Sequence, residues 1–136
     1  MASRDTAAKN HRMKLLDTDV LIEHLRGNDV ARSVVADTAR KGEAACSVLT
    51  RFELLAGMRS DERHEIRSLL DVLPTLDVTE EISTRAGEWA RVYRRSHSSI
   101  SAIDYLIAAT AEIEGADLLT RNVRHFPMFP DLKPVL

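Results

Sequence analysis

The chain has 136 residues, 44% hydrophobic and 29% charged, with a formal net charge of −2. That size suits one domain with a real core, and the near-neutral balance excludes a global pull toward nucleic acid, so any such contact must be local. Aromatic residues make up only 4%, which disfavours a base-stacking platform, and a single cysteine excludes a disulfide framework or a zinc cluster of several thiolates.

Residues 1–12 are polar and aperiodic and read as a disordered tail, with Met13 a candidate natural start. Met13 to Leu16 predicts a first strand. Leu21, Ile22 and Leu25 mark a short helix stopped at Arg26-Gly27, and Val30, Val34 and Thr38 mark a second, ending at Lys41-Gly42. Ala45 to Leu49 predicts a second strand, with Cys46 in the core, and Thr50 to Met58 a helix. Ile66, Leu69, Leu70 and Leu73 mark another helix, closed by Pro74, before a short strand over Thr75 to Val78. Thr79 caps a long helix with Glu80 and Glu81 in its first turn and a stripe of Ile82, Ala86, Trp89, Ala90 and Tyr93. The next helix runs from Ala102 to Glu114, with Ile103, Leu106, Ile107, Thr110 and Ile113 on one face, and ends at Gly115. Leu118 to Thr120 predicts a strand and Lys133 to Leu136 an edge strand. Strands separated by helices predict an α/β fold with a mainly parallel sheet and helices on both faces. No apolar stretch approaches a membrane span and no signal-peptide core is visible, so a cytoplasmic protein is expected.

Acidic residues recur at three sheet-to-helix junctions: Asp17, Glu53 and Asp104, with Asn122 as a fourth polar position after Leu118-Leu119-Thr120. Strand ends are where open α/β sheets place their chemistry. Carboxylates gathered there repel each other unless a cation lies between them, which points to a divalent-metal site. Each has a plainer reading. Asp17 suits a helix N-cap, Thr50-Arg51-Phe52-Glu53 fits a capping box, and Ser101-Ala102-Ile103-Asp104 resembles the same signature. The weight lies on the three junctions together.

KLLDTDVLIEHLRG (14–27), SVLTRFELLAG (47–57) and ISAIDYLIAATAEIEGADLLTRNVRHF (100–126) resemble the PIN-domain ribonucleases, above all the VapC-type toxins of bacterial toxin–antitoxin pairs. The resemblance covers nearly everything after Met13, and over 59–99 it holds mainly in length and helical pattern. It implies a PIN-like, Rossmann-like three-layer α/β/α sandwich over 13–136. It implies an Mg²⁺- or Mn²⁺-dependent endoribonuclease acting on tRNA or rRNA, a VapB-type antitoxin that blocks the site, and a homodimer. By motif position Asp17, Glu53 and Asp104 match the family's first three acidic residues. Asn122 stands at the fourth, which is often Asp. Asp19 stands where the family commonly has Asn, and Thr18 and Thr120 match supporting polar positions. His125 reads as a loop residue rather than a ligand.

Hard carboxylate oxygens suit Mg²⁺ or Mn²⁺. In-line attack of water would leave a 5′-phosphate and a 3′-hydroxyl. Arg51, Arg59, Arg121 and Arg124 flank the motif blocks and are candidates for phosphate contact. Two rival readings stand beside this one. Asp17-Thr18-Asp19 also resembles the first motif of the haloacid-dehalogenase-like phosphatases, although lysine is scarce between Lys41 and Lys133. Asn122 alternatively suits a catalytically weak PIN-like module that binds RNA or a partner.

Overall fold

The computed structural model describes residues 12–136, so the tail expected over 1–12 lies, except for Arg12, outside the described residues. Among the described residues four short strands form one sheet: β1 (Lys14–Leu16), β2 (Ala44–Ser47), β3 (Thr75–Leu76) and β4 (Asp117–Leu119). Their order is β3-β2-β1-β4 and every pair is parallel. β1 is central, with Leu15 opposite both Ala45 and Leu118.

A sheet covered on both faces buries successive side chains in opposite directions, so its strands read as continuous apolar runs. Leu15 and Leu118 join the core on one face, while Leu16 and Leu119 join the core on the other. Complete burial of Leu15 and Leu16 contributes roughly 1.5–3 kcal/mol for each side chain. On the Leu16 face pack α1 (Thr18–Leu25), α2 (Asp29–Arg40), α3 (Val48–Gly57) and α4 (Arg63–Val72), through Val20, Leu21, Val35, Leu54, Ile66 and Leu70. On the Leu15 face pack α5 (Glu80–Tyr93) and α6 (Ala102–Glu114), through Ile82, Ala86, Trp89, Ile107 and Ala108. The result is the expected three-layer α/β/α sandwich. No helix among the described residues is long and apolar enough to cross a membrane.

Local chemistry sets the element ends. Asn28, Thr79 and Ser101 each cap a helix by accepting a backbone N–H. Gly115 closes α6 at φ +65°, the left-handed conformation that glycine adopts without steric cost. Several details differ from the sequence expectation. Ser47 ends β2 and caps α3, its hydroxyl accepting from Leu49 N at 3.1 Å, so Val48 and Leu49 are helical rather than strand. Residues 133–136 form no strand. Pro134 has no N–H for a ladder, and the segment is tied by one bond, Val135 N–H to Thr120 O at 3.1 Å. In α6 the buried face is centred on Tyr105 and Ile107–Ala111, with Ile103, Leu106 and Ile113 only half-buried. Alanines let this helix sink close to its neighbours.

Candidate active site

The strands run in parallel, so β1, β2 and β4 deliver their following residues to one edge of the sheet. Asp17 stands directly after β1 and Thr120 directly after β4, and the Asp17 N–H donates to Leu119 O at 2.9 Å. Asp17 is the N-cap of α1, as its plainer reading had it, with one carboxylate oxygen accepting the Thr18 N–H at 2.8 Å. Its other oxygen accepts the Thr120 hydroxyl at 2.7 Å. The side chain is almost wholly buried. Burial first, then the negative charge of Asp19, pushes the Asp17 carboxyl up to about 7, and the charge of Asp104 adds to this against the bonds from Thr120 and Thr18.

Glu53 is not a capping-box residue. Because Ser47 caps α3, Thr50 and Glu53 lie inside the helix, and the Glu53 carboxylate meets Thr18 of α1. The Thr18 hydroxyl donates to Glu53 Oε1 at 2.7 Å and lies 2.9 Å from the Thr50 hydroxyl, which is fully buried. Thr18 thus stands between the first two acidic positions, its N–H on Asp17 and its hydroxyl on Glu53.

Asp19 accepts the backbone N–H of Arg121 at 3.2 Å and of Asn122 at 3.1 Å, and so holds the turn after β4. Its burial raises the carboxyl, and these bonds oppose the rise. Asp104 forms the capping box of α6 with Ser101, each backbone N–H meeting the other's side chain at 3.1 Å. The same Asp104 oxygen lies 3.1 Å from His125 Nδ1. The Asn122 amide nitrogen lies 3.2 Å from His125 Nε2. His125, expected to be a loop residue, therefore connects the third and fourth positions. The 3₁₀ turn over Val123–His125 brings residues three apart to one side, and that spacing is the only sequence signal for it.

Hydrogen bonds thus unite Asp17, Thr18, Asp19, Thr50, Glu53 and Thr120 with the Asn122 backbone, while the side chains of Asp104, Asn122 and His125 form a second group. No three His, Cys, Asp or Glu side chains among the described residues stand close enough to enclose an ion as they are oriented. Glu53 and Asp104 are each held by a protein donor. The donor set is nonetheless one of hard oxygens, and Asp17 feels the charge of both Asp19 and Asp104. Those are the conditions a divalent cation relieves. The arginines differ in placement. Arg121 pairs with Glu23 at 3.0 Å, whereas Arg51, Arg59 and Arg124 make no ion pair among the described residues. Glu23 and Thr50 were not apparent as site neighbours from the sequence.

The PIN domain family matches residues 14–129. The chain is 50% identical to "Ribonuclease VapC19" of Mycobacterium tuberculosis over 123 residues, 90% of this chain and 98% of that protein. Among solved structures it resembles the toxin–antitoxin complex from Klebsiella pneumoniae, with a TM-score of 0.72 at 23% identity over 90% of this chain and 98% of that one. It also resembles VapBC2 from Rickettsia felis bound to a promoter DNA fragment, with a TM-score of 0.68 at 26% identity over 88% and 95% of the two chains. The phosphatase reading falls away, since a family match spanning almost all of the described chain, joined to half identity with a VapC ribonuclease along nearly its whole length, makes this chain a VapC-type member of the PIN-domain family.

Proposed function

We propose that the chain is an endoribonuclease toxin that hydrolyses RNA phosphodiester bonds, with tRNA or rRNA as substrate, and that a VapB-type antitoxin restrains it. The observation that carries this reading is the buried Asp17 carboxyl, pushed up to about 7 and tied through Thr18 to Glu53 and through Thr120 to the end of β4. Half identity to a protein named as a ribonuclease supports the activity, and the toxin–antitoxin and VapBC neighbours support the partner.

Asp17, Glu53 and Asp104 would hold Mg²⁺ or Mn²⁺, directly or through water. The chemistry such an ion supplies is neutralisation of the scissile phosphate and a lowered pKa for a water. The chain's own residues do the rest. Thr18 and Thr120 fix the two Asp17 oxygens and the Glu53 carboxylate. Asp19 holds the 120–122 turn and so positions Asn122, whose amide would orient a water or join a second ion site. Arg51, Arg121 and Arg124 offset the repulsion between an acidic cleft and a polyanion. An antitoxin arginine placed among the carboxylates would block the site by substituting guanidinium charge. The working unit is proposed to be a homodimer.

The test is cleavage of a total-RNA pool by purified protein with Mg²⁺, with Mn²⁺ and with EDTA, beside Asp104→Asn. Metal-dependent cleavage that the variant loses is the expected result. Folded, antitoxin-free protein that cleaves nothing under any condition would sink the ribonuclease reading.

A further inference from the structure

Glu23 lies one helical turn beyond Asp19 on α1, so the two carboxylates share a face. The Glu23 side chain is only 16% exposed. A single oxygen of it, Oε1, meets Nη1 of Arg121 at 3.0 Å and Nη1 of Arg26 at 3.2 Å. These guanidinium groups arrive from different segments, Arg121 from the turn after β4 and Arg26 from the end of α1. Both remain more than half exposed. A guanidinium carries five N–H donors, so a shared carboxylate oxygen leaves most of them facing outward. Arg121 is fixed at both ends, its backbone N–H on Asp19 and its side chain on Glu23. Arg26 also lines a groove of about 220 Å³ that continues past Glu53 to Met58 and Arg59.

Two cations gathered on one carboxylate leave a net positive charge beside an acidic cleft. A strand approaching that cleft brings one phosphate to the carboxylates and its neighbours to the rim. We infer that Glu23 is a positioning residue that holds Arg26 and Arg121 as a two-arginine clamp for a phosphate flanking the scissile one. This rests on the ribonuclease reading above. An isolated surface ion pair adds little stability. The role of Glu23 is to orient the two guanidinium groups.

The test uses protein carrying Asp104→Asn, so that the probe survives, titrated with a fluorescein-labelled single-stranded RNA of mixed sequence at several salt concentrations. Glu23→Gln in that background removes a negative charge from the path of a polyanion, and charge counting alone predicts tighter binding. The clamp predicts the opposite: binding weaker by about threefold to tenfold, matching Arg121→Ala, with little further weakening when the two are combined. The slope of log affinity against log salt should become shallower by about 0.7 for each phosphate that the protein no longer neutralises. Binding that is unchanged or tighter with Glu23→Gln overturns the clamp, as does a lowered melting temperature with RNA affinity intact. If the wild-type protein cleaves total RNA while Glu23→Gln leaves binding unmoved, the clamp fails alone. If the wild type cleaves nothing and Asp104→Asn binds no RNA, the ribonuclease reading fails and takes the clamp with it.

Discussion

The Thr18 hydroxyl donates to the Glu53 carboxylate at 2.7 Å across a separation of 35 residues, joining α1 to α3 at the floor of the site. Thr18→Val keeps the shape and removes the donor. Glu53 and Thr50 then lose a shared partner in a mostly buried setting, at a cost of about 1–3 kcal/mol. Cleavage should fall by about 10–100-fold, the usual penalty for losing a group that orients a metal-binding carboxylate. Thermal unfolding and cleavage rates of the same preparation check both figures.

Asp17 gives the metal-free protein an unusual pH dependence. Folding raises its carboxyl from the ordinary 3.8 to about 7. The unfolded chain therefore releases this proton first, and rising pH favours unfolding across that interval. The contribution is fully present below pH 3.8 and is lost as pH passes about 7. In EDTA, Asp17→Asn should flatten this part of the profile and be more stable than wild type at pH 8, by an amount on the order of a few kcal/mol. Added Mn²⁺ should raise the wild-type melting temperature more at pH 8 than at pH 5, because the ion competes with protons. A wild-type protein in EDTA that gains stability steadily from pH 4 to pH 8 through this group would contradict the assignment.

Asp104→Asn should abolish cleavage and leave the fold intact. An Asn side-chain oxygen still accepts the Ser101 N–H that Asp104 accepts now, so the start of α6 keeps its capping box. The change removes the carboxylate charge that faces His125 and Asp17. Near-wild-type circular dichroism together with lost activity is the expected pairing. Retained activity would place the chemistry elsewhere.

Asn122→Asp should tighten divalent-ion binding. Position 122 is exposed at the mouth of the site, with its backbone held by Asp19 and its side chain against His125, so a carboxylate fits there without repacking. Calorimetric titration with Mn²⁺ should show higher affinity or a second ion per chain. An unchanged isotherm would mean that residue 122 does not face the ion.

Gly115→Ala should cost about 1 kcal/mol. A Cβ would meet nothing within 4 Å, so the penalty comes from the φ of +65° alone. Cleavage measured well below the melting temperature should not change, since this turn lies at the far end of α6 from Asp104.

Much of this was legible in the chain because the fold rests on local rules. Leu15-Leu16 and Leu118-Leu119 are apolar pairs that only a sheet covered on both faces buries together, and Gly27 and Gly115 mark helix ends through their positive φ. The start of α3 was less legible. Val48 and Leu49 extend the apolar run of β2, and the cap formed by the Ser47 hydroxyl on Leu49 N marks the change to helix. The acidic positions were visible as residue types at junctions. Their partners were not. Thr50 reaches Thr18 and Glu23 reaches Arg121 through the closing of the sheet, which no local pattern encodes. His125 meets Asp104 because two distant segments pack together.

The pairing of β1 with β4 sets a clock on the molecule. The Asp17 carboxylate finds the Thr120 hydroxyl 103 residues later in the chain, and Asp17 N–H finds Leu119 O at the same junction. Contacts of such long sequence separation form late, because the intervening chain must be closed before they are rewarded. β1 and β2 precede β4 in the chain, so one edge of β1 has no partner until Asp117–Leu119 has been made. The acidic residues through Asp104 are therefore all present in the chain before the contacts that hold Asp17 can form, and the site is assembled only once the segment around Thr120 joins the sheet.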